Sequence, residues 1–421
     1  MKNTVAAAAA LLASTLPAVQ GQKCIHRVTG EKLEAEMKVD AVLARAQKLQ
    51  DLAYSTPGRN RQWQQPGFDL TMDYVEETLK QTNFYNIERR PTLFRVARDP
   101  ANVTVDGVNY PSSPMTTSSR RELITGVFND VPIVVVDAVG CEPANYPNAT
   151  GALTLILRGN CTFELKSQFS KQAGAVGAIV RNAPDSPSFG NGVIGDNVAS
   201  LVPTTMMRYE DGAALLARVQ AGPALADLAI EYVNLTSYNL IATSKRGNQS
   251  NIIMAGAHAD SVEAGPGVND DGSGTVSILE TAVQLAKFGL TNAVRFAWWT
   301  AEEDGLLGSY YYTRNAPADE LAKIRAYLNF DMVGSNNFYG GVEGAILDPY
   351  YHSADDTVAN LNGTALGVMA KGIAYAIGTY ARSFDGFPVR SPPAAGSEPR
   401  LFGLTDNAPS FKLGPLTMWR V

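Results

Sequence analysis

Imidazoles and carboxylates recur at the ends of apolar runs in the second half of this chain. Ile252–Ala257 leads into His258 and Asp260, Val294–Thr300 into Glu302 and Glu303, and Ala326–Phe330 into Asp331. Between the first two runs, Asn269-Asp270-Asp271-Gly272 opens a stretch with apolar residues at Val276, Leu279, Val283 and Ala286, which is helical spacing. Ligands of open α/β sheets bind just beyond the carboxyl ends of parallel strands. Each predicted strand therefore delivers metal-binding residue types to one edge. Of the three histidines in the chain, His258 and His352 fall among these acids.

Each residue has a structural explanation when taken singly. A histidine at a strand end can serve packing, an Asp pair can cap a helix, and adjacent glutamates suit a helix start. Their succession at consecutive strand ends points to a metal site instead. Two other motifs compete for the same stretch. Gly265–Gly274 is glycine-rich but lacks the Lys-Ser/Thr of a phosphate loop. Asn269, Asp271, Ser273 and Glu280 have the spacing of an EF-hand calcium loop, although Asn replaces the first Asp and a strand precedes it.

These residues must be positioned by a large chain. The 421 residues, 45% hydrophobic, can bury more than one structural unit. A net charge of −6 argues against nucleic acid or an anionic membrane as partner. Lys2 followed by the apolar Val5–Val19 run reads as a secretory signal peptide over residues 1–21, cleaved near Gly21–Gln22. No later stretch is apolar and long enough to span a membrane. Asn-x-Ser/Thr sites at Asn102, Asn148, Asn160, Asn234, Asn248 and Asn362 fit a secreted glycoprotein.

Glu31–Tyr54 and Asp69–Gln81 have helix composition, with Leu33, Met37, Leu43, Ala46 and Leu49 near one face. Tyr85–Ala97 and Val103–Tyr110 read as strands. A β-rich block follows over residues 122–231, with PIVVVDA (Pro132–Ala138), ALTLILRGNCTF (Ala152–Phe163), a helix around Glu164–Ala173 and GAVGAIVRN (Gly174–Asn182). Tyr238–Ser244 and Asn251–Ala257 then read as paired strands.

RGNCTF, the following helix and AGAVGAIVRN together resemble the protease-associated (PA) domain, a lid or binding module inserted in secreted peptidases. The chain from about Glu31 to Arg382 resembles the M28 dizinc aminopeptidases, especially secreted fungal members. The matching motifs are GAHADS (Gly256–Ser261), GPGVNDDGSG (Gly265–Gly274), AEEDGLLGS (Ala301–Ser309), NFDMVGS (Asn329–Ser335) and YHSADDT (Tyr351–Thr357). The resemblance implies an α/β fold, with a mixed, mostly parallel sheet flanked by helices (a zinc peptidase fold) and an inserted β-rich PA domain. Residues 22–121 and 232–383 would form the peptidase domain, and 384–421 an irregular tail.

Carried over by motif, Asp270 would bridge two Zn2+ ions, His258 and Asp331 would complete one site, and Glu303 and His352 the other. Glu302 would be the general base, Asp260 would orient His258, and Tyr351 would stabilise the oxyanion. Nitrogen and oxygen donors without cysteine are compatible with catalytic zinc. The substrates would be peptides or proteins with a free N-terminus, and a monomer is favoured. A dizinc carboxypeptidase on the same scaffold would want a basic residue for the substrate carboxylate, and none is identified.

The chain departs from the family between Asp331 and His352. Related enzymes place there a longer segment that carries part of the substrate pocket, whereas Met332–Tyr351 is short and rich in Asn and Gly. A catalytically weak relative that still binds metal or peptide is therefore the second reading. The cysteines that usually flank Tyr-His are Tyr350 and Asp355 here. Within the PA-like block, Cys141 and Cys161 are expected to pair in an oxidising secretory route, which leaves Cys24 free.

Overall fold

The structure is a computed structural model that describes residues 26–98, 100–117, 124–184, 192–336 and 348–388. The expected signal peptide, Cys24, much of the short stretch before His352 and most of the expected tail lie outside these residues. The helical stretch at the start is two helices, α1 (Gly30–Glu36) and α2 (Val39–Tyr54), separated by extended backbone at Met37 and Lys38. The Thr29 side chain caps α1 by accepting the Lys32 N–H, which satisfies a donor that has no partner inside the helix. Helix α3 (Pro66–Thr82) carries Pro in its first turn, where a missing N–H costs nothing.

Strand β1 (Tyr85–Ala97) has the expected bounds. Val103–Tyr110 is not one strand but a hairpin of β2 (Val103–Val105) and β3 (Val108–Tyr110). Asp106 and Gly107 take φ of 52° and 77°, the left-handed pair that an Asp-Gly hairpin turn favours. Then come β4 (Ser113–Pro114), β5 (Gly126–Val135), β6 (Leu153–Leu157), α4 (Phe163–Gln172), β7 (Gly177–Arg181), β8 (Thr204–Met207), α5 (Tyr209–Gln220) and β9 (Leu225–Ile230). Their eight-stranded sheet is ordered β3-β2-β9-β5-β6-β7-β8-β4, with β5 to β8 parallel. Strands β2, β3 and β4 precede residue 122, so this sheet draws in chain from ahead of the β-rich block. Cys141 and Cys161 form a disulfide beside it.

Strand β10 (Tyr232–Ser244) returns antiparallel along β1, from Tyr85↔Ser244 to Ala97↔Tyr232. The chain continues through β11 (Asn248–His258), α6 (Gly274–Leu285), β12 (Asn292–Trp299), α7 (Leu307–Asn315), α8 (Ala318–Ala322), β13 (Ile324–Asn329) and α9 (Gly363–Arg382). The second sheet is ordered β1-β10-β12-β11-β13. It is mixed: β12, β11 and β13 run parallel, and β1/β10 and β10/β12 are antiparallel. Strands β10 and β11, expected to pair, are separated by β12. The turn between them crosses the start of β12, where Gly247 (φ 89°) lies so close to the Asn292–Ala293 backbone that a Cβ would collide with it.

Every residue of β12 is buried, as in a sheet covered on both faces. Val294, Phe296 and Trp298 join a core with Leu49 of α2, Met72 of α3, Leu279 of α6 and Ile373 of α9. Ala297 and Trp299 pack on the opposite face with Tyr312 of α7. Among the described residues no helix is long and apolar enough to cross a membrane.

Candidate metal centre

Strand register brings the site together. His258 ends β11 opposite Trp299 of β12, and Gly256 of β11 pairs with Asn329 of β13. The carboxyl ends of all three strands therefore lie at one edge, with Glu302 and Glu303 just beyond β12 and Asp331 just beyond β13. Asp270 and Asp271 sit in the irregular turn Val268–Ser273 that leads into α6.

The Asp270 carboxylate occupies the centre. Its Oδ1 lies 3.2 Å from His258 Nε2, and its Oδ2 lies 3.2 Å from His352 Nε2. His258 Nε2 is also 3.7 Å from Asp331 Oδ1 and 3.7 Å from Glu302 Oε2. His352 Nε2 is 2.9 Å from Glu303 Oε2. His258, Asp270, Glu303, Asp331 and His352 are thus brought together, with Glu302 against the His258 side. His258 and Asp270 are buried, whereas the Asp331 and His352 side chains are each 38% exposed.

So many acids share a small volume that their charges oppose one another. Burial pushes Glu302 up to about 7, with Asp331, Asp260 and Glu303 adding to the rise against His258. Burial likewise raises Glu303, opposed by its hydrogen bond from His352. It would raise Asp270 too, but His258 and His352 hold that carboxyl well below the usual range. Burial works against charging His258, yet Asp331, Asp260 and Asp270 bring it well above its ordinary value. His352 rises to about 10, burial being outweighed by Asp270 and Glu303.

These residues fit a cation site. Glu303 Oε1 is buried without a hydrogen-bond partner, and ligand atoms of His258, Asp270 and Glu303 lie within 4.8 Å of one another. The donors are nitrogen and oxygen, a set that zinc accepts. His258, Asp271 and Asp331 form a second close group. Asp271, however, already receives the backbone N–H groups of His258 (3.1 Å), Gly274 (2.8 Å) and Met332 (3.3 Å). That carboxylate is committed to the backbone.

Asp260 lies 3.6 Å from His258 Nδ1 and accepts the backbone N–H groups of Glu302 (3.2 Å) and Glu303 (3.3 Å). It therefore ties the end of β11 to the turn after β12, whereas His258 Nδ1 itself is buried without a hydrogen-bond partner. Tyr351 stacks on the His352 ring, with centroids 3.7 Å apart. Burial and the fields of Asp270, Glu303, Glu302 and Asp331 raise its phenol, which keeps it a proton donor.

Sequence reasoning missed the supports of the site. Arg61 is fully buried and donates to the carbonyls of Pro266 (2.7 Å), Gly267 (2.5 Å) and Ala259. Asp356 accepts the N–H groups of Asn269 (2.6 Å) and Asp270 (2.9 Å). The Asn269 amide binds Ser335 and Asp348 and accepts from Gly334. The calcium-loop reading fails here: Asn269 and Asp271 are taken by protein groups, and Glu280 is paired with Arg45 at 2.6 Å. The positions of Asn269 in GPGVNDDGSG, Ser335 in NFDMVGS and Asp356 in YHSADDT are the only signals the sequence offered for these supports, and none covers Arg61.

Residues 239–341 match the model of peptidase family M28, and residues 130–215 match the PA domain. The chain is 35% identical to probable leucine aminopeptidase 2 of Aspergillus fumigatus over 431 residues, covering 83% of this chain and 85% of that one. It is 33% identical to leucine aminopeptidase 2 of Arthroderma otae, covering 86% and 88%. Among solved structures, an aminopeptidase from Aneurinibacillus sp. strain AM-1 superposes with a TM-score of 0.60 at 24% identity, covering 84% of this chain and 97% of that one. BSAP, a zinc aminopeptidase from Bacillus subtilis, superposes with a TM-score of 0.60 at 21% identity, covering 82% and 95%. Both likenesses concern the fold.

Proposed function

The chain belongs to peptidase family M28, and from that premise we propose that it is a secreted, dizinc aminopeptidase releasing N-terminal residues from peptides. The observation that carries this reading is the Asp270 carboxylate, which offers one oxygen toward His258 and the other toward His352. His258 and Asp331 would hold one zinc ion, Glu303 and His352 the other, with Asp270 shared. Two such ions, when bound, activate water and polarise the peptide carbonyl.

The chain's own residues perform the remaining work. Glu302 takes a proton from the attacking water and returns it to the leaving amine, general acid–base work for a carboxylate poised near neutrality. Tyr351 donates its phenolic proton toward the developing oxyanion. Asp260 holds His258 and the Glu302–Glu303 turn in one frame. The surplus of carboxylates suits a free α-ammonium group on the substrate. Secretion is supported by the N-terminal apolar run and by sequons, of which Asn102, Asn148, Asn160, Asn234 and Asn248 are exposed.

The weak-relative reading is that the short stretch before His352 leaves the substrate pocket open while the metal site stays intact. The 2.9 Å approach of His352 to Glu303 supports an assembled centre under either reading, so the two differ in turnover and selectivity. The deciding experiment pairs zinc analysis of purified protein with hydrolysis of free and N-acetylated leucine substrates. Two zinc ions and cleavage of only the free substrate are expected. Equal cleavage of both overturns the aminopeptidase assignment.

A further inference from the structure

His352 is delivered to the centre by a short turn with no regular structure, and its own backbone takes φ 53°, a left-handed conformation unfavourable for a non-glycine residue. Something must hold it there. Four residues before it, Asp348 accepts the Asn269 side-chain amide through Oδ2 at 2.8 Å and the Tyr350 N–H through Oδ1 at 3.0 Å. Four residues after it, Asp356 Oδ1 accepts the Asn269 N–H and Oδ2 the Asp270 N–H, while its carbonyl accepts the Val268 N–H at 3.1 Å. Between these fastenings the turn lies against Gly265, where a Cβ would collide with the Ser353 and Ala354 backbone. Both acids are buried.

We propose that Asp356, with Asp348, is a positioning residue that seats His352 against Asp270 and so completes the second metal position. The inference rests on the dizinc reading above. The two fastenings act on the same loop: Asp356 fixes the backbone that presents Asp270, and the turn it belongs to presents His352. One carboxylate thereby sets the distance between a shared ligand and a terminal one. The first position also shares Asp270 but draws His258 and Asp331 from the ends of β11 and β13, so it depends on this turn less than the second does.

The consequence is selective. Removing the Asp356 carboxylate frees two buried N–H groups and loosens the His352 turn while leaving the β-strand ligands in place. Groups that orient metal ligands typically contribute 10–100-fold to metal affinity. Asp356→Ala is therefore expected to bind the second zinc ion ~10–100-fold more weakly and the first with a smaller loss. Asp356→Asn, which keeps one carbonyl acceptor and the same shape, should fall between them and stay folded.

The test is calorimetric zinc titration of the demetallated full chain, its Asp356→Ala variant and its Asp356→Asn variant. A merely stabilising role would lower the unfolding temperature without separating the two binding steps. Unchanged affinity for both ions in Asp356→Ala overturns the proposal, as does equal weakening of both steps in Asp356→Asn. If Asp356→Ala does not fold, the Asn variant decides alone. A parent protein that binds fewer than two ions overturns the dizinc reading, and this inference with it.

Discussion

His258 and His352 meet across a single carboxylate, each Nε2 lying 3.2 Å from a different oxygen of Asp270. One imidazole comes from the end of a buried strand and the other from an exposed turn. The centre therefore joins a rigid half to a half that depends on its fastenings.

Glu302→Gln keeps the side-chain volume but removes the proton acceptor. Hydrolysis should fall by ~10²–10⁴-fold, with zinc content unchanged by mass spectrometry. Retention of more than a tenth of the parental rate would exclude Glu302 as the base.

Zinc removal should act on stability as well as on rate. A ligand that binds only the folded chain stabilises it by about 2.7 kcal/mol at 100 times its dissociation constant. Chelation should accordingly lower the thermal midpoint and abolish hydrolysis, and zinc should restore both. Calcium should restore neither, since Asn269, Asp271 and Glu280 already have protein partners. Recovery with calcium alone would refute the assigned ligands.

Tyr351 is 39% exposed and His352 is 38% exposed at its side chain, so among the described residues this side of the candidate site faces water. A closed apolar pocket separates substrates differing by one methylene by ~10–200-fold. Here leucine and alanine substrates should differ by less than ~10-fold in kcat/KM. Turnover should lie about 10²-fold below that of the fungal relatives assayed alongside, because the scissile bond is poorly held. Sharp preference for leucine would show that the pocket is closed.

Lys166 supplies a pH test remote from the metals. Its side chain is buried and donates to the Val139 carbonyl, 3.7 Å from Cys141 Sγ. Burial lowers its ammonium to about 8, against 10.5 when unperturbed. Between those values the unfolded chain holds a proton that the folded chain lacks, so stability rises with pH across that window. The gain should be at most about 3 kcal/mol and absent in Lys166→Met. Urea midpoints of the two proteins measured at about pH 7.5 and about pH 10, which span most of this window, would check the slope; a falling difference contradicts it.

Peptide mapping without reduction should join Cys141 to Cys161 and leave Cys24 as a thiol. Closing a loop of this size (sequence separation 20) stabilises by about 3 kcal/mol in the chain-entropy model. Cys141→Ser should lower the unfolding midpoint accordingly, and an unchanged midpoint would mean the bond is not formed.

The candidate ligands were legible in the sequence because strand ends and residue types coincide at His258, Glu303 and Asp331. Asp270 stood out as part of an acidic pair, although sequence alone does not separate it from Asp271, which serves backbone amides instead. The supports were not legible. Arg61 reaches carbonyls some 200 positions later (|i−j| of 205 to Pro266), and no local pattern encodes such a contact. Strand order failed at β10 and β11 for a similar reason: the short turn resembles a hairpin until Gly247 lets it cross β12. The two-helix start and the Val103–Tyr110 hairpin were missed through local backbone choices at Met37–Lys38 and Asp106–Gly107.

The long β1–β10 ladder bears on how the chain assembles. β1 is made early, but its partner emerges only after the whole eight-stranded sheet has left the ribosome. Bringing distant strands together costs closure entropy that grows with the slack between them. If the intervening unit folds first, its compact body draws Ala97 and Tyr232 side by side and removes most of that slack. The unit that contributes nothing to the metal ligands thus becomes an intramolecular template, and variants that slow its folding should delay the appearance of zinc binding even when the finished protein binds zinc normally.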